Sequence, residues 1–262
     1  MIESNGRAVR AGRICLLFAL TSLTLACPAL AATATLNARA LPIPGFPGTG
    51  NYLGAGFEAE LEVTIAGTEY AGSPSPLTGL DVYAPAGVKV DPANFADCAP
   101  SVLEAGGAGA CPKGSHAGPQ GVGEGVVSFG DERVPEQVAI TAFFAPAGLT
   151  FYVVGSTPSS FEYLEPGHWT QASAPFGPEL LVEVPLIETD PGGYDASVTS
   201  FKVKVGTARR QGKKTLSYLT SPSRCPRGGF PVKLELKFLS GQTVAASDAV
   251  PCPKSSGREL RR

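Results

Sequence analysis

Phe57-Glu-Ala-Glu-Leu-Glu-Val-Thr-Ile65 alternates apolar and polar side chains almost without a break. Successive strand residues point to opposite faces. The segment is therefore expected to be a half-buried β-strand, with Phe57, Ala59, Leu61, Val63 and Ile65 inside and Glu58, Glu60 and Glu62 in water. The same alternation recurs in Val232-Lys-Leu-Glu-Leu-Lys-Phe238 and in Phe201-Lys-Val-Lys-Val205. Ser240-Gly241 reads as a turn into a further strand over 243–250. Shorter or more continuously apolar runs at 80–84, 126–129, 138–144, 150–154 and 180–184 add candidates, each bounded by Gly, Pro, Asn or Asp.

Helical patterning is poor. Residues 94–97 and 101–105 offer one turn each. No window of a dozen residues carries an apolar stripe of period 3.6 free of Gly or Pro. Many short strands with frequent turn signals predict an all-β fold, an antiparallel β-sandwich of Ig-like or jelly-roll-like type. The Gly/Pro-rich stretch 166–178 is the best sub-boundary, so the region 32–253 reads as one unit or two closely associated halves.

The N-terminus carries Arg7, Arg10 and Arg13, then the apolar run Ile-Cys-Leu-Leu-Phe-Ala-Leu-Thr-Ser-Leu-Thr-Leu-Ala ending at Ala26. Ala29 and Ala31 supply the small-residue pattern of a signal-peptidase site. The run is shorter than the ~20 residues a spanning helix needs. Residues 1–31 therefore read as a secretory signal and the rest as secreted or extracytoplasmic. A lipid anchor on Cys27 is the alternative. It is disfavoured by Thr24 and Leu25 in the positions before the cysteine and by Pro28 after it. Residues 254–262 read as a disordered basic tail.

Three of the 21 basic and one of the 23 acidic residues precede Ala32, leaving 18 and 22, a charge near −4. That balance suggests neither nucleic acid nor a polybasic lipid-binding stretch. Cys98, Cys111, Cys225 and Cys252 remain after the signal, an even number suited to two disulfides outside the cell. Three pairings are possible. The local one, Cys98–Cys111 and Cys225–Cys252, is preferred because each pair brackets one turn-rich excursion. Each loop would contribute roughly 3–4 kcal/mol on the chain-entropy account. Zinc is disfavoured, since no C-x-x-C occurs and His116 is the only histidine near a cysteine.

The segments Ala84-Pro-Ala-Gly-Val88, Cys111-Pro-Lys-Gly-Ser-His-Ala-Gly118, Val127-Ser-Phe-Gly130, Glu132-Arg-Val-Pro-Glu136, Cys225-Pro-Arg-Gly-Gly-Phe-Pro231 and Pro251-Cys-Pro253 resemble a group of uncharacterised secreted proteins of high-GC Gram-positive (actinobacterial) bacteria. The resemblance covers most of the chain after the signal. It implies an exported, β-rich protein and carries no catalytic residues, ligand or cofactor with it.

Several constellations suggest chemistry. Gly114-Ser-His-Ala-Gly118 invites comparison with a nucleophile elbow, but its glycines do not flank Ser115 at the required offsets. It reads as a polar turn after a disulfide. The glycine-rich run 118–125 lacks the following helix and the Lys-Ser/Thr pair of a phosphate loop, and reads as a flexible loop. Carboxylates at Glu58, Glu60 and Glu62, and at Glu179 and Glu183, read as solvated sheet faces. The segment around Asp190 and Asp195 reads as a turn and not as a calcium loop. Phe161, Tyr163, His168 and Trp169 form the densest aromatic cluster and are the candidate binding residues. The expectation is an exported non-catalytic structural or binding protein of the cell envelope or extracellular space, with no metal or cofactor. Its partner would be a cell-wall polymer or an envelope protein. The alternative is a carbohydrate-binding or carbohydrate-active hydrolase-like protein.

Overall fold

The computed structural model describes residues 30–130, 132–158 and 160–253. The signal at 1–31, apart from its last two residues, and the tail at 254–262 lie outside them, as do Cys15 and Cys27. The chain forms β1 (Thr33–Leu41), β2 (Glu58–Ala66), β3 (Leu77–Pro85) and the short β4 (Lys89–Val90). Helix α1 (Pro100–Gly106) follows, then β5 (Gly121–Phe129), β6 (Glu132–Ala145), β7 (Gly148–Gly155), β8 (Phe161–Gln171) and β9 (Phe176–Glu183). The last third holds β10 (Ser197–Val205), β11 (Ala208–Gln211), β12 (Lys214–Ser217), β13 (Leu219–Thr220), β14 (Phe230–Phe238) and β15 (Thr243–Val250).

The all-β antiparallel architecture is present, and it takes the form of one continuous sheet. Eleven strands run in the order β1-β2-β10-β5-β6-β7-β8-β9-β3-β14-β15, and each neighbouring pair is antiparallel. The sheet curls until its two edges stand side by side. The Ala38 amide donates to Asp248 Oδ2 at 2.8 Å, and Gln242 Nε2 donates to the Ala32 carbonyl at 3.0 Å. Right-handed strand twist and strand tilt carry a sheet of this width toward closure. The two edges meet through these side-chain bonds and not through a backbone ladder, and their approach shields strands that would otherwise be aggregation hazards. Stretch 166–178 spans parts of β8 and β9, which are antiparallel neighbours in the same sheet.

Register assigns one face of every strand to the interior. Across β1, β2 and β10, Ala38, Leu61 and Val203 face inward together, and Arg39, Glu60 and Lys204 face outward. One apolar cluster joins Val63, Ile65, Leu77, Phe201, Leu234, Leu236 and Phe238. A second joins Phe144, Leu149, Phe151, Leu180, Tyr218 and Leu219. Interior walls of this kind supply the burial that stabilises the sheet.

Two of the three outward glutamates of β2 are not in water. Glu58 is 3% and Glu60 5% exposed. Lys202 and Lys204 of β10 and Arg39 of β1 lie over them, with Lys204 Nζ 3.5 Å and Arg39 Nη1 3.5 Å from Glu60. Alternation identified the face correctly, but the cations that cover it come from strands distant in sequence. Burial pushes the Glu58 carboxyl above the usual range, Lys204 pulls it back, and Glu60 adds to the rise. Glu62 stays more open, with its side chain 46% exposed.

The glycine-rich run, expected to be a loop, instead supplies the first half of β5 from Gly121 to Gly125, and only 118–120 lie outside the strand. Gly123 faces Phe201 and Val138, and Gly125 faces Val198 and Glu136. A Cβ on Gly125 would lie 2.6 Å from the Ser197 carbonyl oxygen, a backbone atom that cannot move aside. Glycine therefore lets β10 approach β5 where the sheet bends and β10 is bulged after Val198. Gly125→Ala is expected to cost about 1–3 kcal/mol of stability, read as a lower urea midpoint. An unchanged midpoint would show that the two strands can separate freely.

Both local disulfides are present. Cys98–Cys111 and Cys225–Cys252 have Cα separations of 5.3 and 5.9 Å. The first closes the segment carrying α1 into a loop, which rests on the outer face of the sheet through the packing of Cys98 and Leu103 on Phe143 and Tyr152. Disulfides accord with an oxidising, extracytoplasmic location. Among the described residues, no helix is long and apolar enough to cross a membrane. The hairpin β11–β12 carries Arg209, Arg210, Lys213 and Lys214, all exposed. That is a local concentration of positive charge which the near-neutral total conceals.

Candidate functional site

The interior faces do not meet across the barrel. Between them lies a cavity of about 850 Å³. Its wall draws on β1, β2, β3, β5 to β10, β14 and β15, with Ala40, Leu61, Val82, Ile140, Val153 and Val203 among its aliphatic residues. Tyr52, 48% exposed, and Pro251, also exposed, stand at the end where β1 and β15 finish. Small inward residues create the space. Ala38, Ala40, Ala59, Gly123 and Gly125 occupy positions where larger side chains would fill the lumen.

Strand β8 supplies the polar chemistry. Phe161, Tyr163, Glu165, Gly167 and Trp169 fall on its inward face by period 2. Of these, Phe161, Tyr163, Glu165 and Trp169 line the cavity. Three of the four candidate binding residues are thus brought to one wall. Phe161 and Tyr163 stack at 5.8 Å between ring centroids. Trp169 Nε1 donates to the Tyr218 hydroxyl at 2.7 Å, so its polar atom is already engaged. His168 has the opposite parity and is exposed on the outer face, away from the other three.

Two carboxyls that patterning passed over share the lumen with these aromatics. Glu136 on β6 is 2% exposed, and its Oε1 accepts the Ser156 and Thr157 amides at 3.2 and 3.0 Å. It ties the β7–β8 connection to β6. Glu165 differs. Burial pushes its carboxyl up to about 8, and the hydrogen bond with Tyr163 only partly offsets this. Phe151 stands directly across β7 from it. At neutral pH most of the Glu165 population carries its proton, so the group can donate as well as accept. The signal for it was in the sequence: one acidic residue on an otherwise aromatic, alternating face.

The other constellations are structural. Ser115 is fully buried and its hydroxyl donates to the Pro112 carbonyl at 2.8 Å, as a turn demands. The His116 ring packs on Phe143. Residues around 190–195 form a turn closed by the Gly193 amide on the Asp190 carbonyl. Arg133 lies between Tyr70 and Tyr194, 5.6 and 5.5 Å from their ring centroids, and donates to Ser73 and Ser197 at 2.9 Å each. It fastens two surface connections to the β5–β6 hairpin. Among the described residues, no group of three His, Cys, Asp or Glu side chains is arranged to hold a metal ion.

Fold and site together define an antiparallel sheet curled nearly into a barrel, with charged groups on its outer face and an apolar lumen that Glu136 and Glu165 share. Comparison with protein-family models, curated proteins and solved structures finds no match.

Proposed function

We propose that this chain is an exported, non-catalytic binding protein whose barrel lumen holds an apolar small molecule. The observation that carries this reading is the cavity of about 850 Å³ with aliphatic and aromatic walls. Ligand sites typically occupy about 300–1,000 Å³ and are lined mainly by apolar side chains with a few placed polar groups. Apolar cavities of this kind stay dry and take up apolar molecules. The sidedness supports the same reading: Glu58, Glu60, Lys202, Lys204 and the Asp81–Lys237 pair lie outside, and the hydrocarbon lies within. The secretory reading of residues 1–31 and the two disulfides support a site outside the cytoplasm. The resemblance to secreted actinobacterial proteins agrees with export.

A carbohydrate-active reading would draw on Glu136 and Glu165, which share the lumen. The aliphatic walls weigh against it, because a sugar's hydroxyls would be stripped of water without partners. Stacking on a cell-wall polymer is likewise disfavoured, since Phe161, Tyr163 and Trp169 turn into the barrel.

The test is titration of the oxidised protein with the neutral fluorophore N-phenylnaphthylamine. Saturable binding with a blue-shifted emission is expected. Ala40→Trp, which fills the lumen, should weaken it at least tenfold while the protein stays folded. An affinity unchanged by Ala40→Trp would place the probe elsewhere and defeat the proposal.

A further inference from the structure

We infer that the ligand of this lumen is a hydrocarbon chain or ring system bearing one neutral oxygen head group, an alcohol or an ester, seated on Tyr163 and Glu165. The inference rests on the lumen reading above and names the chemistry of its occupant.

The polar atoms of the wall divide sharply by what they already do. Glu136 accepts two backbone amides. Ser197 Oγ accepts from Arg133 and the residue is 1% exposed. Ser200 donates to Glu124 near the outer surface. Trp169 is engaged by Tyr218. Tyr163 and Glu165 are bonded to each other, and no cation contributes to the environment of Glu165. A carboxyl group has more than one hydrogen-bonding position, so this pair retains capacity toward the cavity. A carboxyl in an aliphatic wall without a cation is costly to fold around. Nothing in the packing requires it, because Phe151 and the stacked Phe161 already fill that wall with hydrocarbon.

The kind of head group follows from the same surroundings. A carboxylate or phosphate head would face a carboxyl with no cation to balance it. An alcohol can donate to one Glu165 oxygen or accept its proton, and an ester carbonyl can accept it. Apart from exposed polar residues such as Arg39, Asn51 and Tyr52, the remaining wall is mainly aliphatic and offers dispersion and area burial, which suit an alkyl chain or a fused ring system.

Displacement of N-phenylnaphthylamine by dodecane, dodecanol, dodecylamine and dodecanoate separates the possibilities. Dodecanol is expected to bind about tenfold more tightly than dodecane, the yield of one hydrogen bond made in a dry site. Glu165→Leu should erase that preference and leave dodecane unchanged. Tyr163→Phe, which keeps the ring, should reduce it. Equal affinity for dodecane and dodecanol, with the probe still bound, would overturn the head-group inference and leave the lumen reading standing. Preference for dodecylamine would overturn it in favour of a cationic head, and preference for dodecanoate in favour of an anionic one. Failure of the wild-type protein to bind the probe at all would remove the lumen reading, and this inference with it. If Glu165→Leu fails to fold, Glu165→Met, which keeps the length of the side chain without its donor and acceptor, should erase the dodecanol preference.

Discussion

Raising the pH from about 5 to 8 should lower the protein's resistance to unfolding, and Glu165→Gln should abolish most of that loss. The ordinary glutamate value is 4.5, and burial raises Glu165 to about 8 in the folded chain. Between those values the folded state binds more protons than the unfolded state, so stability falls as pH rises. The contribution is fully present below about 4.5 and is lost as pH climbs through about 8. A shift of this size corresponds to a few kcal/mol, on the order of 5 at most. Glu58, also raised by burial, adds to the loss in the same direction. Glu235, held low mainly by its hydrogen bond with Lys233, works oppositely: its contribution is present above the ordinary value and lost in acid. Urea midpoints at pH 5 and pH 8 for the wild type and Glu165→Gln measure the difference. Parallel pH profiles for the two proteins would show that Glu165 is solvated in the folded state. The amide retains the Tyr163 partner, so the variant isolates the charge from the shape.

Phe144→Ala should cost about 3–5 kcal/mol, a large share of the stability of an ordinary domain. Phe144 is fully buried. Its ring meets Phe95 at 4.8 Å and Tyr218 at 4.7 Å between centroids. Its backbone joins two more segments: its amide donates to the Ser115 carbonyl and its carbonyl accepts the Cys98 amide, each at 2.8 Å. The side chain thus stands where strand β6, the disulfide segment and the stretch leading into β13 converge. Three covalently distant pieces cannot collapse together to fill the vacancy, so most of the cavity cost should persist. The check is a urea midpoint with an unchanged slope. A loss below about 1 kcal/mol would mean that Tyr218 and Phe95 close the gap.

Much of the sheet is legible in period-2 alternation. The expected strand at 243–250 coincides with β15, and those at 232–238 and 201–205 fall inside β14 and β10. Three parts were hidden. Strand β1, Thr-Ala-Thr-Leu-Asn-Ala-Arg-Ala-Leu, has small residues on its inward face because it borders the cavity, and small residues give a weak strand signal. Strand β8 alternates well, but Pro166 and Gly167 in its middle read as punctuation, and with the strand so interrupted nothing in the pattern singles out Glu165 beside them. The glycines of β5 looked like a loop because glycine marks both loops and close approaches between strands. The aromatic cluster was visible. Its division into three inward residues and one outward histidine follows from counting parity along β8, which required knowing that 161–171 is a single strand.

Alternation and turn residues determined by themselves that this chain is all-β and antiparallel, and cysteine spacing made the local disulfide pairing the preferred one of three. These are short-range properties: side-chain direction repeats every two residues, and each disulfide closes a loop of 13 or 27 residues. Tertiary structure alone decided that the strands form one curled sheet, that its faces enclose a cavity, and that Glu165 lies inside it while Glu58 and Glu60 lie outside beneath lysines. These depend on which distant strands meet. The seam pairs Ala38 with Asp248 across 210 residues of chain. An alternating strand specifies its apolar face, and only the closure of the sheet decides what that face encloses.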